Sequence, residues 1–539
     1  MQKFIRKFGK LFWSFSLTLI LVIAIANPAP TQTGNQSDAT NPNPIEIVPE
    51  TTEESEQFGE ESVEVTPDSS EESEQNEPSQ EAVSEESEVD RAGYESLVGS
   101  ETESGAVQAF EEAQASDFSS QLGIDFYGKT PSIDEIAAAL YDIYLVTGKK
   151  ATINYVFALE NELQTLTIFP KSRTSAKSSG QLIASKILGN LGPIAQEDQI
   201  SPAIRKSTLV SREELEKTLN SFRDEITNPR KIRQTTYLKP AQQLYQWIVA
   251  PIESELQENK IDDLVFAMDT GLRSTPVAAM HDGKQFLIEK YGVSLIPSFG
   301  LTDSRYRDVR NLKILAMGAS TFTDQNDLPA VPVELAEILR GAWQGEKFIN
   351  EQFTVENFIE QNKKQNFAII HLATHGEFQS GDISNSYIQF WNRKLNMNEL
   401  RKLAGELGWN SASSQPIELM VLSACRTALG DEQAELGFAG LAVQAGVKSA
   451  LASLWYVSDA GSLALMNEFY QHLNITANKA EALRQAQLAM IRGKVQVEQG
   501  QLRGSDQEPL PLPDQLARSN VNFSHPYFWS GFILIGNWN

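Results

Sequence analysis

Phe367-Ala368-Ile369-Ile370-His371-Leu372-Ala373 is a short apolar run that breaks off in Thr374-His375-Gly376. A second run, Ile417-Glu418-Leu419-Met420-Val421-Leu422, breaks off in Ser423-Ala424-Cys425-Arg426-Thr427-Ala428-Leu429-Gly430. Their length and β-branched content predict buried strands ending at Ala373 and Leu422. Near-continuous apolar strands belong to sheets covered on both faces, usually parallel and linked by helices. Chemistry in such sheets sits at the carboxyl ends of the strands. A thiolate is an effective nucleophile, and an imidazole can ionise it and then protonate a leaving amine. Gly376 permits close approach of backbone to a substrate carbonyl. The backbone amides of Gly376 and Cys425 are the candidate oxyanion donors.

The ordered series His371-Leu372-Ala373-Thr374-His375-Gly376-Glu377-Phe378 and Leu422-Ser423-Ala424-Cys425-Arg426-Thr427-Ala428-Leu429-Gly430 resembles the CHAT family. These are caspase-like cysteine peptidases of clan CD, related to separases. The resemblance continues through Gly437-Phe438-Ala439-Gly440-Leu441, Leu451-Ala452-Ser453-Leu454-Trp455 and His525-Pro526-Tyr527-Phe528-Trp529. It implies a caspase-like layered α/β fold, a protein or peptide substrate, no cofactor, and a dyad of His375 and Cys425. Arg426 stands where relatives often carry an acidic residue.

Composition narrows the remaining classes. The chain has 539 residues and a formal net charge of −26, unevenly spread. Lys3, Arg6, Lys7 and Lys10 precede an apolar run, Leu11 to Ala26, that ends in Ala24-Ile25-Ala26. Residues 1–26 therefore predict a signal peptide or signal anchor. Either one sends the bulk of the chain across the membrane, and residues 11–26 are a candidate membrane tether. Residues 27–105 predict a disordered acidic linker with repeated Glu-Glu-Ser-Glu, too poor in apolar surface to fold. The rest is only moderately acidic and lacks the basic footprint that nucleic-acid binding needs. A single cysteine excludes an intrachain disulfide framework and any multi-cysteine metal site.

Residues 106–310 are expected to form an amino-terminal α/β half. Its helix Ile133 to Thr147 is capped by Ser132, and the strands Ala151–Phe157 and Leu163–Phe169 are antiparallel. Lys171 to Gly192 and Arg212 to Thr227 read as helices, Leu264 to Met268 as a buried strand, and Ala278 to Leu287 as a hairpin about Asp282-Gly283. Residues 311–539 are expected to form the protease half, with strands alternating with helices around a mostly parallel central sheet. Residues 492–522 read as irregular, and Phe528 to Ile535 as the closing strand.

His371 and His375 have the spacing of a helical zinc pair, but the zincin pattern needs Glu after the first His, and Leu372 stands there. No metal site is expected, and His371 reads as a packing residue. Asp459 has two open roles. It is a cap for the following helix together with Ser458, or a substrate-binding carboxylate at the base of the S1 pocket, as the resemblance to separases implies. The second role would favour Arg or Lys before the scissile bond. His281 reads as a turn residue, His525 as a packing residue, and Glu377 and Asp382 as solvated loop charges. The expected function is an exported caspase-like cysteine endopeptidase. The alternative is a non-enzymatic caspase-like scaffold that binds a protein partner.

Overall fold

Polar and apolar residues alternate over Ala151–Tyr155, yet the strand Ala151–Ala158, β1, is buried at every position. Its polar members are satisfied internally: Asn154 donates to Thr152 Oγ1 at 3.0 Å and accepts from Thr167 Oγ1 at 3.0 Å. The computed structural model describes residues 91–99, 102–122, 130–172, 202–341, 343–380, 382–409, 416–427, 431, 434, 437–438, 440–476, 478–505 and 508–539. Residues 1–26, most of 27–105 and most of the helix expected over 171–192 lie outside the described residues. Among the described residues no helix is long and apolar enough to cross a membrane.

β2 (Leu163–Ile168) and β3 (Ala203–Thr208) follow β1 in antiparallel succession. β4 (Asp263–Met268) runs parallel to β1, and β5 (Gly292–Ile296) parallel to β4. The later part supplies β6 (Lys313–Gly318), β7 (Gln344–Ile349), β8 (Ile369–Phe378), β9 (Tyr387–Gln389), β10 (Lys394–Asn396), β11 (Leu419–Thr427) and β12 (Ser449–Ser453). Four short strands, β13 (Gln496–Glu498), β14 (Gln501–Arg503), β15 (Leu510–Pro511) and β16 (Val521–Asn522), make a separate small sheet. β17 (Phe532–Gly536) then returns to the main sheet between β12 and β5, antiparallel to the first and parallel to the second.

The main sheet has thirteen strands among the described residues, in the order β10-β9-β8-β11-β12-β17-β5-β4-β1-β2-β3, with β6 and β7 branching from β8. It is mixed: one parallel block around β8, β11 and β12 and another of β17, β5, β4 and β1 meet at the antiparallel pair β12–β17, with further antiparallel strands at the margins. It also runs without a break across residue 310, where two halves were expected to meet.

Several local expectations are corrected. The linker does not reach residue 105, because residues 91–99 are helical and Val98 is fully buried. The run Ala278 to Leu287 does turn about Asp282-Gly283 as expected, but its two flanks form no strands. It holds one 3-10 turn, Val277–Ala279, a single bridge between His281 and Phe286, and the helix Leu287–Lys290. Residues 492–522 contain the small sheet instead of irregular chain. The short strands β3 and β5 were not foreseen, since β3 is polar at its edge and β5 has only five residues. The helix Ile133–Thr147 does carry the expected cap, with Ser132 and Glu135 in a reciprocal capping box.

Arg91 shows why the fold begins before residue 106. Its guanidinium binds both oxygens of Asp269, at 2.9 and 2.8 Å, and the Ala158 carbonyl at 2.7 Å. Asp269 is 2% exposed, so losing this planar partner leaves a buried carboxylate with the Ala158 and Thr270 amides but without the guanidinium charge. Arg91→Ala, or a chain trimmed to begin at residue 106, is expected to lose about 2 kcal/mol or more. Urea unfolding checks this, and Arg91→Lys should recover only part of the loss.

Asp263 opens β4 fully buried, and neither carboxylate oxygen has a hydrogen-bond partner among the described residues. It lies over Gly292, where an added Cβ would meet Asp263 Oδ1 at 2.1 Å. Burial pushes its carboxyl up to about 7, against the pull of Lys149. The folded state therefore holds a proton that the unfolded state releases. Stability is full below the ordinary value of 3.8 and falls as pH rises towards about 7. Asp263→Asn is expected to flatten that fall and to stabilise the protein at about pH 8 by a few kcal/mol. Urea unfolding on both sides of neutrality measures it.

Candidate active site

β8 does not stop at Ala373. It runs on to Phe378, and β11 runs on to Thr427, so His375 and Cys425 both lie within paired strand. The two strands are in register from Leu419 opposite Ile369 to Leu422 opposite Leu372. The register then slips by one residue: Ala424 faces His375, and Cys425 faces Gly376. One extra residue on β8 is a bulge, which bends a strand and re-aims the side chains beyond it. The backbones of Gly376 and Cys425 thus lie side by side, with His375 one step before them.

On its other edge β8 changes neighbour. β6 pairs with it as far as Ala373, and β9 takes over antiparallel at Gly376, opposite Ile388. β6 ends at Gly318, where a side chain would strike the Ala373 carbonyl at 2.4 Å and Val331 at 2.8 Å. The chain leaving β6 passes through residues 319–330 and enters the helix Val331–Ile338. This loop lies beside His375.

His375 Nε2–H donates to the Asn326 carbonyl at 2.7 Å. That bond fixes the tautomer and leaves Nδ1 with the lone pair. The Phe322 ring meets the imidazole edge-on at 4.7 Å, and Tyr456 lies nearly parallel to it at 5.9 Å. Burial holds His375 below the ordinary imidazole range, while the Asn326 carbonyl, Glu377 and Asp324 pull the other way. The ring is therefore neutral at pH 7 and can accept a proton through Nδ1.

The loop is itself tied down. Ser320 N–H donates to Asn350 Oδ1 at 2.8 Å, Phe322 N–H to Asp327 Oδ1 at 3.1 Å, and Leu328 N–H to the Ser320 carbonyl at 3.0 Å. Its far end is held by Asp459, whose Oδ2 accepts from Ala330 N–H at 2.6 Å. Of the two residues expected to cap the helix Asp459–Thr476, Ser458 does so, accepting from Gly461 N–H at 3.2 Å, while the carboxylate of Asp459 turns to Ala330. Burial pushes the Asp459 carboxyl up to about 7; the Ala330 bond opposes this and Glu334 adds to it.

His371 faces away from this cleft, into the core. Nε2 lies 2.8 Å from Glu334 and Nδ1 3.0 Å from the Tyr470 hydroxyl, all three being buried. The two histidines thus go to different partners. Arg426 pairs with Glu377, its register neighbour on β8, at 3.2 Å. His525 accepts from Tyr527 N–H and packs edge-on against Tyr237, and burial pushes it down to about 4. His281 accepts from Gly283 N–H inside a turn, and Asp382 accepts from Ser384 N–H at a 3-10 turn.

Sequence reading missed Asn326, Phe322 and Glu334. Asn326 acts through its carbonyl, which no residue type announces. The usable signal was positional: Asp327-Leu328-Pro329-Ala330 follows a strand ending in glycine and precedes an amphipathic helix, beside the histidine strand.

Separase of Saccharomyces cerevisiae, solved in complex with securin, is similar in structure at 8% identity and a TM-score of 0.43 over 80% of this chain. The similarity covers 33% of that protein, so the chain spans about a third of its length. RgpB of Porphyromonas gingivalis, described as an Arg-specific cysteine proteinase, is similar at 10% identity and a TM-score of 0.32, over 59% of this chain and 74% of that one. No curated protein matches the sequence significantly. The CHAT domain model matches residues 238–537, more than half of the chain, which therefore belongs to the CHAT domain family.

Proposed function

We propose that the chain is a cysteine endopeptidase in which Cys425 is the nucleophile and His375 the proton carrier. The observation that carries this reading is the slipped register that puts the Cys425 backbone beside Gly376, one residue after a histidine whose Nε2–H bond leaves the lone pair on Nδ1. In this reading Nδ1 of His375 takes the thiol proton as sulfur attacks the peptide carbonyl. The carbon–nitrogen bond then breaks, and the same proton goes to the leaving amine. The carbonyl oxygen gathers negative charge near the backbone amides of Gly376 and Cys425, whose dipoles would stabilise it. Water next attacks the thioester with His375 as base, which frees the acid and restores the thiol. The reading stops short of a P1 preference, because the carboxylate of Asp459 is already engaged at Ala330.

Cys425→Ala is expected to abolish cleavage of a peptide library by the full chain, and His375→Ala to lower it by about 10²–10⁴-fold. His371→Ala should lower stability instead, leaving turnover per folded molecule close to wild type. Because burial depresses His375, the acid limb that it sets should lie below pH 6.5. Cleavage surviving in Cys425→Ala would sink the assignment.

We also infer export of the catalytic part, on the strength of the basic-then-apolar residues 1–26. Fractionation with amino-terminal sequencing decides it. A mature chain beginning near Asn27 or an intact chain held in membranes supports export, and an intact cytoplasmic chain refutes it.

A further inference from the structure

Asp459 sits in the loop–helix junction after β12, yet its carboxylate serves another element. Oδ2 accepts from Ala330 N–H at 2.6 Å, at the entry to the helix Val331–Ile338. Four residues earlier in the same loop, the Asn326 carbonyl takes the Nε2–H of His375 at 2.7 Å. The loop is bonded to its surroundings at both ends, beginning with Ala319 N–H on the Ala373 carbonyl at 3.2 Å. At its β6 end Ser320 is bonded to Asn350 through both its N–H and its hydroxyl, at 2.8 and 3.2 Å. At its helix end the side-chain anchor is Asp459. Between them the loop is held by its own bonds, Phe322 to Asp327 and Leu328 to Ser320, and by a long contact from Gln325 to the Tyr387 hydroxyl at 3.4 Å.

We propose that Asp459 is a positioning residue. By holding Ala330 it fixes the loop 319–330, and so keeps the Asn326 carbonyl on His375 and the imidazole in its Nε2–H tautomer. It acts through the loop and touches neither the nucleophile nor the substrate. This role differs from a substrate pocket, because the group that it binds is a backbone amide of the enzyme.

The surroundings make the hold sensitive to protonation. Glu334, on the helix that Asp459 caps, raises its carboxyl, and burial does so more strongly. On its own loop it faces Tyr456, whose hydroxyl is pushed up to about 12 by burial first and by Asp459 in addition. Tyr456 in turn lies over His375. Behind Glu334 stand His371 and Tyr470. An ionised carboxylate bonds an amide about twice as strongly as its neutral form does. The carboxyl titrates at about 7, so the hold is full above that value and weakens as pH falls through it.

The kinetic arm of the test rests on the peptidase reading; the spectroscopic arm does not. Asn can accept the same Ala330 bond without a charge. Asp459→Asn is therefore expected to keep kcat at about pH 8 within about threefold, equally on P1-Arg and P1-Ala peptides, and Asp459→Ala to lower kcat about tenfold or more with KM little changed. The wild type should show a shallow fall of at most about threefold near neutrality, absent from Asp459→Asn, ahead of the steeper acid limb set by His375. Nitrogen-15 imidazole spectra of the Cys425→Ala chain should show the Nε2–H tautomer of His375. Adding Asp459→Asn should preserve it, and adding Asp459→Ala should mix the tautomers. A fold check by circular dichroism accompanies each variant. The proposal is overturned if Asp459→Ala leaves the His375 spectrum unchanged, or if Asp459→Asn loses turnover on P1-Arg peptides alone, which is the mark of a substrate pocket. An inactive chain whose spectra change as expected removes the peptidase reading and leaves the clamp.

Discussion

β8 cannot keep one neighbour along its whole length, and the candidate site exists because of that. Up to Ala373 it is closed on one edge by β6, and from Gly376 by β9. Between them Thr374 and His375 have no strand on that side. An unpaired stretch inside a sheet must find other partners for its polar groups. Thr374 finds the Gln389 carbonyl through its hydroxyl at 2.6 Å, and His375 finds Asn326. On the opposite edge the same stretch slips register against β11. A gap on one edge and a slip on the other, at one point of one strand, bring the cysteine backbone level with Gly376, next to the histidine, where the ladder resumes.

The layer beneath the cleft gathers ionisable groups in the core. Glu334, His371 and Tyr470 satisfy one another there. Glu334 and Asp459 lie on adjoining helices and oppose each other's charge. Such an arrangement is costly to break and contributes little net stability when intact. Its effect is geometric: the helix Val331–Ile338 is pinned at its start to Asp459 and at Glu334 to β8. Loop 319–330, which precedes that helix, inherits the resulting placement.

The motifs around His375 and Cys425 were legible because reactive residue types stood at the ends of apolar runs. The parallel pairing of β8, β11 and β12 was legible from the same runs, since strands buried on both faces lose alternation, but the antiparallel entry of β17 beside β12 was not. The register slip was not, because Ser423 carries no sign that it faces two residues. Asp459 was recognised as important and given the wrong capping target, since a cap is read from local sequence and its partner Ala330 is far away in the chain. The start of the folded part was misjudged for a similar reason. Residues 91–99 look like acidic spacer until Arg91 meets Asp269 across the fold.

β17 is the latest strand in chain order and stands between β12 and β5. Until it emerges during synthesis, the sheet is two separate pieces, each with a bare apolar edge. Contacts between such distant parts of a chain form slowly and leave edges open to wrong partners. One piece carries β8 and β11, so a nascent chain already holds the strands of the candidate dyad before the sheet can close. Molecules halted before residue 532 would therefore expose that piece in an unfinished sheet, prone to pair edge to edge with its copies. The seam at β17 makes assembly of this protein a single late event, and any holding factor during synthesis would act on the edges of β5 and β12.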